Sequence, residues 1–404
     1  MHQPHQPHQP HPTHQPHQPH QAVRPRFLIN CSNLHVGGAV AVATSVIEHL
    51  SRMPSFGADI SLLVSSSVQG NLLAMGTNLS RFIRCEVANY FGVDAMWRGL
   101  DKHFIGQDLV FTLFGPAYFL RKRTLHIFGF AQPIIIYPGS PVEKRMPFAD
   151  WLRQRSKSLL QEVFFARADE LVVELEHVQV GLTKRLLLRH IPTHVVYSAV
   201  DSVYAARSRW LPVSIATKGH GLKLGIISRN YLHKNLACLP QVKELLASRH
   251  GLEVEFFVTF PEDEWAACND RFRQEIVNVG PLKLAQCPSF YAAMDGVFFP
   301  SMLECFSAVP IEAMMMKRPL FASDLPFIRD CCHEHAHYFD PLNVESMALA
   351  VSSYFKLDAA TRNDGLARAH EFVRGYPGPQ ERAESYLAIV LKALAAQASA
   401  FSTR

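Results

Sequence analysis

Glu304 and Glu312 stand with seven residues between them in the stretch 298–314, FFPSMLECFSAVPIEAM. The apolar run before Glu304 reads as a strand, and the segment around Glu312 has helical spacing. That places Glu304 in a loop after the strand and Glu312 one to two turns into a helix, with Phe306 and Ser307 at the helix start. The first backbone N–H groups of a helix have no partner inside it and can hold an anion such as a phosphate. One carboxylate above such a site can face the sugar of a nucleotide sugar, and the second can accept hydrogen bonds from ribose hydroxyls. Two exposed glutamates at a helix end would give the same spacing. Arg229 and Lys234 stand five apart in IISRNYLHKN (226–235), across a strand-to-helix turn. Two cations there suit a diphosphate, Arg as a fork and Lys as a point charge; a solvated basic loop is the alternative. Gly37 and Gly38 open a third turn, where missing Cβ atoms let backbone approach a phosphate beside a helix start, or merely allow a tight turn.

The elements that must position these residues alternate along the chain. Strands are expected at 26–30, 58–65, 108–114, 124–128, 170–174 and 194–197, with helices at 40–50, 151–167 and 178–190. Residues 201–222 are polar and irregular and read as a linker. A second series follows, with strands at 223–227, 254–259, 276–279, 296–299, 320–323 and 337–339. Its helices are expected at 236–248, 263–273, 287–293, 307–316 and 344–355. Alternation of this kind predicts open, mostly parallel sheets covered by helices on both faces. Two such doubly wound domains in tandem enclose a cleft at the carboxyl ends of their strands. The expected division is a tail at 1–23, a first domain at 24–204, a second at 205–375, and a segment at 376–404 whose apolar helix crosses back to the first domain.

Composition agrees with this layout. The chain has 404 residues, 48% hydrophobic and 19% charged, which suits two domains with ample core and excludes a largely disordered chain. Residues 1–20 are His-Gln-Pro units that hold 7 of the 21 histidines, and their composition predicts a disordered, polyproline-like tail rather than a metal site or a signal peptide. None of the eight cysteines forms CxxC, which points to reduced cytosolic thiols. No stretch is long and apolar enough to predict a membrane span. The net charge of +5 is uneven, because residues 121–157 carry eight positive and two negative side chains. Such a patch attracts polyanions or an anionic membrane surface. Nucleic acid is not expected, since no aromatic-basic interleaving accompanies it.

Together the three loops resemble the retaining glycosyltransferases of family four, which have the GT-B fold. The resemblance spans about residues 26–386 and is sharpest over 224–342. It implies two Rossmann-like domains facing a cleft, the first binding acceptor and the second a nucleotide-sugar donor, UDP- or GDP-linked. It further implies that Arg229 and Lys234 bind the donor diphosphate, that Glu304 contacts the transferred sugar and that Glu312 contacts the ribose. The amides of Phe306, Ser307 and Ala308 would bind phosphate, and the Gly-Gly loop of Gly37 and Gly38 would also belong to the donor site. Cys305 and Ser307 replace glycines usual in the family pattern. The implied reaction is metal-independent transfer with retention, in which the leaving diphosphate accepts the acceptor proton; the chain has no Asp-x-Asp triplet. The stretches 114–118 and 129–133 look like those of bacterial members that build lipopolysaccharide, O-antigen or exopolysaccharide. A nucleotide-sugar epimerase on the same scaffold, or a non-catalytic nucleotide-binding protein, is the alternative.

His126 precedes the 129–132 loop and is a candidate for the acceptor side, although a packed histidine is the simpler expectation. Lys144, Arg145, Arg153, Arg155 and Lys157 are expected to meet anionic lipid headgroups or a lipid-linked diphosphate acceptor, with Trp151, Leu152, Leu159 and Leu160 adding apolar contact. The expected location is the cytoplasm, at the inner-membrane face.

Overall fold

The computed structural model describes residues 24–122, 124–217 and 219–402; the expected tail at 1–23 lies outside the described residues. The first sheet has seven strands: β1 Arg26–Cys31, β2 Asp59–Val64, β3 Arg84–Val87, β4 Leu109–Thr112, β5 Leu125–Gly129, β6 Glu170–Val173 and β7 Thr193–Val195. Their order across the sheet is β3-β2-β1-β4-β5-β6-β7, and all pairings are parallel. The second sheet has six: β8 Leu222–Ile226, β9 Val254–Val258, β10 Val277–Asn278, β11 Gly296–Phe299, β12 Leu320–Ser323 and β13 His337–Phe339. Their order is β10-β9-β8-β11-β12-β13, again parallel throughout. These are two Rossmann-like sheets of the GT-B kind. Near-continuous apolar strands such as Val254–Val258, buried at every position, are what a sheet covered on both faces requires.

In each sheet the strand order reverses once, between β1 and β4 and between β8 and β11. Loops at such a reversal diverge to opposite faces and leave a crevice at the strands' carboxyl ends. The loops after β1, β8 and β11 carry Gly37 and Gly38, Arg229 and Lys234, and Glu304.

The strand at Arg84–Val87 was not expected, because β3 is a short edge strand, Arg-Cys-Glu-Val, with no fully buried residue. The helix expected at 178–190 is Glu176–Thr183 and then turns. The helix expected at 263–273 is two, Glu262–Ala266 and Asp270–Glu275. The first ends at Ala266, and Asn269 caps the second, its Oδ1 accepting from Phe272 N at 2.9 Å. A sixteen-residue helix, Ala359–Arg374, has only Ala369 and Val373 buried and therefore lacks a clear apolar stripe.

The last helix, Pro379–Ser402, buries Ala383, Tyr386, Val390 and Leu394 in the first domain's core beside Val46 and Ile47. Tyr386 meets Phe111 of β4 with ring centroids 5.3 Å apart. Burying side chains of this size contributes roughly 1.5–3 kcal/mol each, enough to fix the helix there.

Candidate active site

A cleft of about 600 Å³ opens between the two sheets, lined by residues of both domains. On its second-domain wall Lys234, Glu304, Phe306, Ser307, Ala308 and Glu312 come together. Each is placed by a local device. Lys234 ends a single 3-10 turn, and Asn235 after it is left-handed at φ 57°. Asparagine adopts this conformation more readily than most residues, and here its amide is held by distant partners: Nδ2 donates to Pro341 O at 2.8 Å and Oδ1 accepts from Arg145 at 3.1 Å. The turn carries Lys234 Nζ to Glu304 Oε1 at 2.5 Å. Ser301 Oγ donates to the same oxygen at 2.8 Å. Glu304 Oε2 makes no hydrogen bond among the described residues.

Helix Ala308–Met315 begins beyond Ser307, whose side chain makes no capping bond. The amides of Phe306, Ser307 and Ala308 donate to no acceptor among the described residues, so the first turn presents free N–H groups to the cleft. Pro310 sits in that turn, where its missing N–H leaves no unmet donor. Deeper in the helix, Glu312 accepts from Tyr291 at 2.8 Å. Burial pushes its carboxyl above the usual range, against the opposing effect of the Tyr291 and Tyr204 hydroxyls.

Arg229 does not join this group. Its guanidinium pairs with Glu264 at 2.5 Å and is nearly half exposed, while Glu264 also accepts from Asn230 N at 2.8 Å. Sequence spacing put both cations on one turn; the 3-10 turn between them sends only Lys234 inward.

The first-domain wall is built differently. Gly38 lines the cleft, and Gly37 caps helix Gly38–Arg52 at φ 74°, a conformation that favours glycine. Gly129 ends β5 where a Cβ would overlap Leu113 O, so only glycine lets the ends of β4 and β5 approach. Asn33 donates to Phe114 O at 2.7 Å and braces the loop after β1. The wall also holds two charged residues that motif reasoning missed, Glu174 at 8% exposure and Arg382 at 4%. Arg382 Nη1 donates to Ser198 Oγ at 3.4 Å, and its Nε has no partner. Burial raises the Glu174 carboxyl to about 7, although Arg382 and Ser198 pull it down. Arg382 comes from the returning helix, two hundred residues from Glu174, so no local pattern could have joined them.

Two expectations are corrected. His126 does not face the cleft. It is fully buried on β5 against Phe119 at 4.3 Å and Phe104 at 5.3 Å, and neither ring nitrogen has a partner. It lies in the amino-terminal half of its strand, away from the edge that carries ligand sites. Arg145 is exposed but engaged rather than free: its Nη1 reaches Asn235 Oδ1 at 3.1 Å across the cleft mouth. There Val142, Met302 and Leu303 form a small apolar cluster that joins the domains. Lys144, Arg153 and Lys157 are exposed, and Arg155 is half-buried. Among the described residues no helix is long and apolar enough to cross a membrane.

Comparison with known proteins gives one family match: the family described as "Glycosyl transferases group 1" matches residues 222–356. No curated protein matches the sequence. Among solved structures, sucrose-phosphate synthase from Thermosynechococcus elongatus aligns with a TM-score of 0.64 at 13% identity, covering 92% of this chain and 100% of that one. HepE from Anabaena, solved with UDP and glucose, gives 0.63 at 13% identity, covering 91% and 99%. The α,α-trehalose 6-phosphate synthase from Burkholderia multivorans gives 0.63 at 13% identity, covering 94% and 98%. The second domain is therefore similar to the group 1 glycosyl transferases over residues 222–356, and the chain as a whole has the GT-B fold.

Proposed function

We propose that the protein is a retaining, metal-independent glycosyltransferase. It moves a sugar from a UDP- or GDP-sugar to a glycan or lipid-linked acceptor in cell-surface polysaccharide assembly. The observation that carries this reading is the second-domain wall. One cation, one carboxylate with a free oxygen, three unbonded amides and a half-buried second carboxylate face a single cleft beneath a glycine-opened helix. The amides of Phe306, Ser307 and Ala308 hold the diphosphate, and Glu312 accepts from the ribose. Lys234 stabilises charge growing on the departing diphosphate, the term that usually dominates such catalysis. Glu304 orients the sugar. Arg229 swings from Glu264 to the diphosphate when donor binds. In this assignment residues 24–204 receive the acceptor, residues 205–375 the donor, and residues 376–404 tie the two together.

Peripheral attachment to the cytoplasmic membrane face belongs to the same proposal. Helix Phe148–Phe165 exposes Phe148, Leu152, Leu159 and Val163, with Arg153 and Lys157 beside them. Apolar side chains flanked by cations suit an anionic bilayer surface. The intact protein is expected to float with phosphatidylglycerol vesicles and to lose this on L152E/L159E. Absence of flotation by the wild type would end the membrane part.

The function itself is tested by thermal shift against a panel of nucleotide sugars, followed by product analysis with the stabilising donor. Stabilisation by UDP or GDP sugars and a product of retained configuration are expected. An inverted product would overturn the retaining assignment, and no response to any nucleotide would overturn the whole reading.

A further inference from the structure

The loop that joins Glu304 to the free amides is held from the other domain. His177, on helix Glu176–Thr183 of the first domain, places Nε2 at 2.7 Å from Cys305 O. A carbonyl only accepts, so Nε2 carries the proton and donates. Burial holds the ring below its usual pKa, which keeps it neutral, and Nδ1 is then an acceptor. Tyr137 OH lies 2.6 Å from Nδ1 and donates to it. The result is a directed chain, Tyr137 to His177 to Cys305, in which each bond fixes the next. The backbone of His177 is also tied across the cleft, its N donating to Asp330 Oδ2 at 2.7 Å. First-domain and second-domain residues therefore meet at one point from two directions.

The consequence follows from the peptide unit. Cys305 C=O and Phe306 N–H belong to one planar trans peptide, and in that geometry they point in opposite directions. Anchoring the carbonyl on His177 turns the Phe306 N–H the other way, and Phe306 lines the cleft. Donation to the carbonyl also polarises the peptide and strengthens the N–H as a donor.

We infer that His177, set by Tyr137, is a positioning residue that presents the Phe306 amide to the anionic group of the donor and makes the second domain's binding loop depend on first-domain contact. The nucleotide as ligand rests on the function proposed above; the loop contact rests on geometry alone. Separate readouts keep the two apart.

Calorimetry of UDP and GDP on the full chain measures the first. H177A is expected to weaken the nucleotide that wild type binds by about tenfold, or 1.4 kcal/mol. H177Q, whose amide can still donate to Cys305 O, should recover most of it, and Y137F should lose about threefold. Donor KM should rise more than kcat falls. An H177A protein that binds within twofold of wild type overturns the inference, and so does a folded H177Q no better than H177A. Hydrogen exchange of residues 301–309 in the ligand-free protein measures the second. Faster exchange there in H177A, with unchanged exchange in β8 and β11, is expected; unchanged exchange at 301–309 overturns the contact's role. Failure of wild type to bind either nucleotide counts against the proposed function and leaves the exchange result to decide the loop.

Discussion

The two walls of the cleft are made by different means. The second-domain wall is compact in sequence: every side chain that the proposed function assigns to the donor falls between residues 229 and 312. Its charges are satisfied at short range, Lys234 by Glu304 and Arg229 by Glu264. The first-domain wall gathers Gly38, Gln132, Glu174, Ser198 and Arg382 from across the chain, and its two buried charges do not form an ion pair. A site for a constant group such as a diphosphate can be built on two loops of one sheet. A site that borrows a residue from a helix crossing between domains depends on the whole assembly.

The sharpest way to break this contrast is to remove the pair on the compact wall. E304A and K234A should each lower kcat by roughly 10²–10³ while leaving Tm nearly unchanged, since the stabilisation they supply is made in the transition state. Steady-state transfer assays alongside thermal melts decide it. Transfer unaffected in both variants would remove the chemistry from this wall.

On the dispersed wall the largest effect should appear in stability. The Glu174 carboxyl is raised to about 7 from 4.5, so the folded state holds its proton where the unfolded state releases it. Its favourable contribution is complete below pH 4.5 and is lost as pH rises through 7. The shift corresponds to about 3 kcal/mol at most. E174Q cannot ionise and should gain stability over wild type between pH 5 and pH 8. Denaturant melts at the two pH values measure this directly, and a difference that stays flat with pH would show that Glu174 is ionised throughout.

The same contrast sets what was legible in sequence. The alternation of strands and helices survives in every strand but the short edge β3, because burial on both faces forces apolar runs. Glu304, Glu312 and Lys234 were legible as candidates because each sits in a short stretch at the carboxyl end of a strand whose spacing is itself a signal, although Lys234 meets Glu304 across seventy residues. Glu174, Arg382, Tyr137 and His177 were not: Glu174 and Arg382 line one wall from about two hundred residues apart in the chain, His177 reaches Cys305 in the other domain, and Tyr137 acts only through His177, forty residues on. Arg229 was placed on the right turn, but its direction depends on Glu264, thirty-five residues away.

Arg229 offers a smaller test on the compact wall. Its pair with Glu264 is open to solvent on the arginine side, and surface pairs are worth about 0–1 kcal/mol, so releasing it toward a ligand costs little. R229A should raise donor KM about tenfold without a measurable change in Tm, and E264A should leave donor KM within about twofold. A larger loss in E264A than in R229A would mean that the pair, rather than the free cation, is the working state.

The smallest effect is expected from the histidine that was a candidate for the acceptor side. His126 is buried among Phe104, Phe119 and Phe128, and burial lowers its pKa to about 3 from 6.5. The unfolded chain therefore takes up a proton that the folded one refuses, and stability falls as pH drops below 6.5. H126L keeps the volume apolar and removes two unpartnered ring nitrogens, whose burial is unfavourable. At pH 7.5 it should change stability by less than about 1 kcal/mol, because losing good aromatic contacts offsets that gain. Between pH 6.5 and 4 the wild type should lose stability more steeply than H126L, while kcat and both KM values stay the same. A fall in kcat with unchanged Tm would return His126 to the chemistry and would require the first-domain wall to open much further than its packing allows.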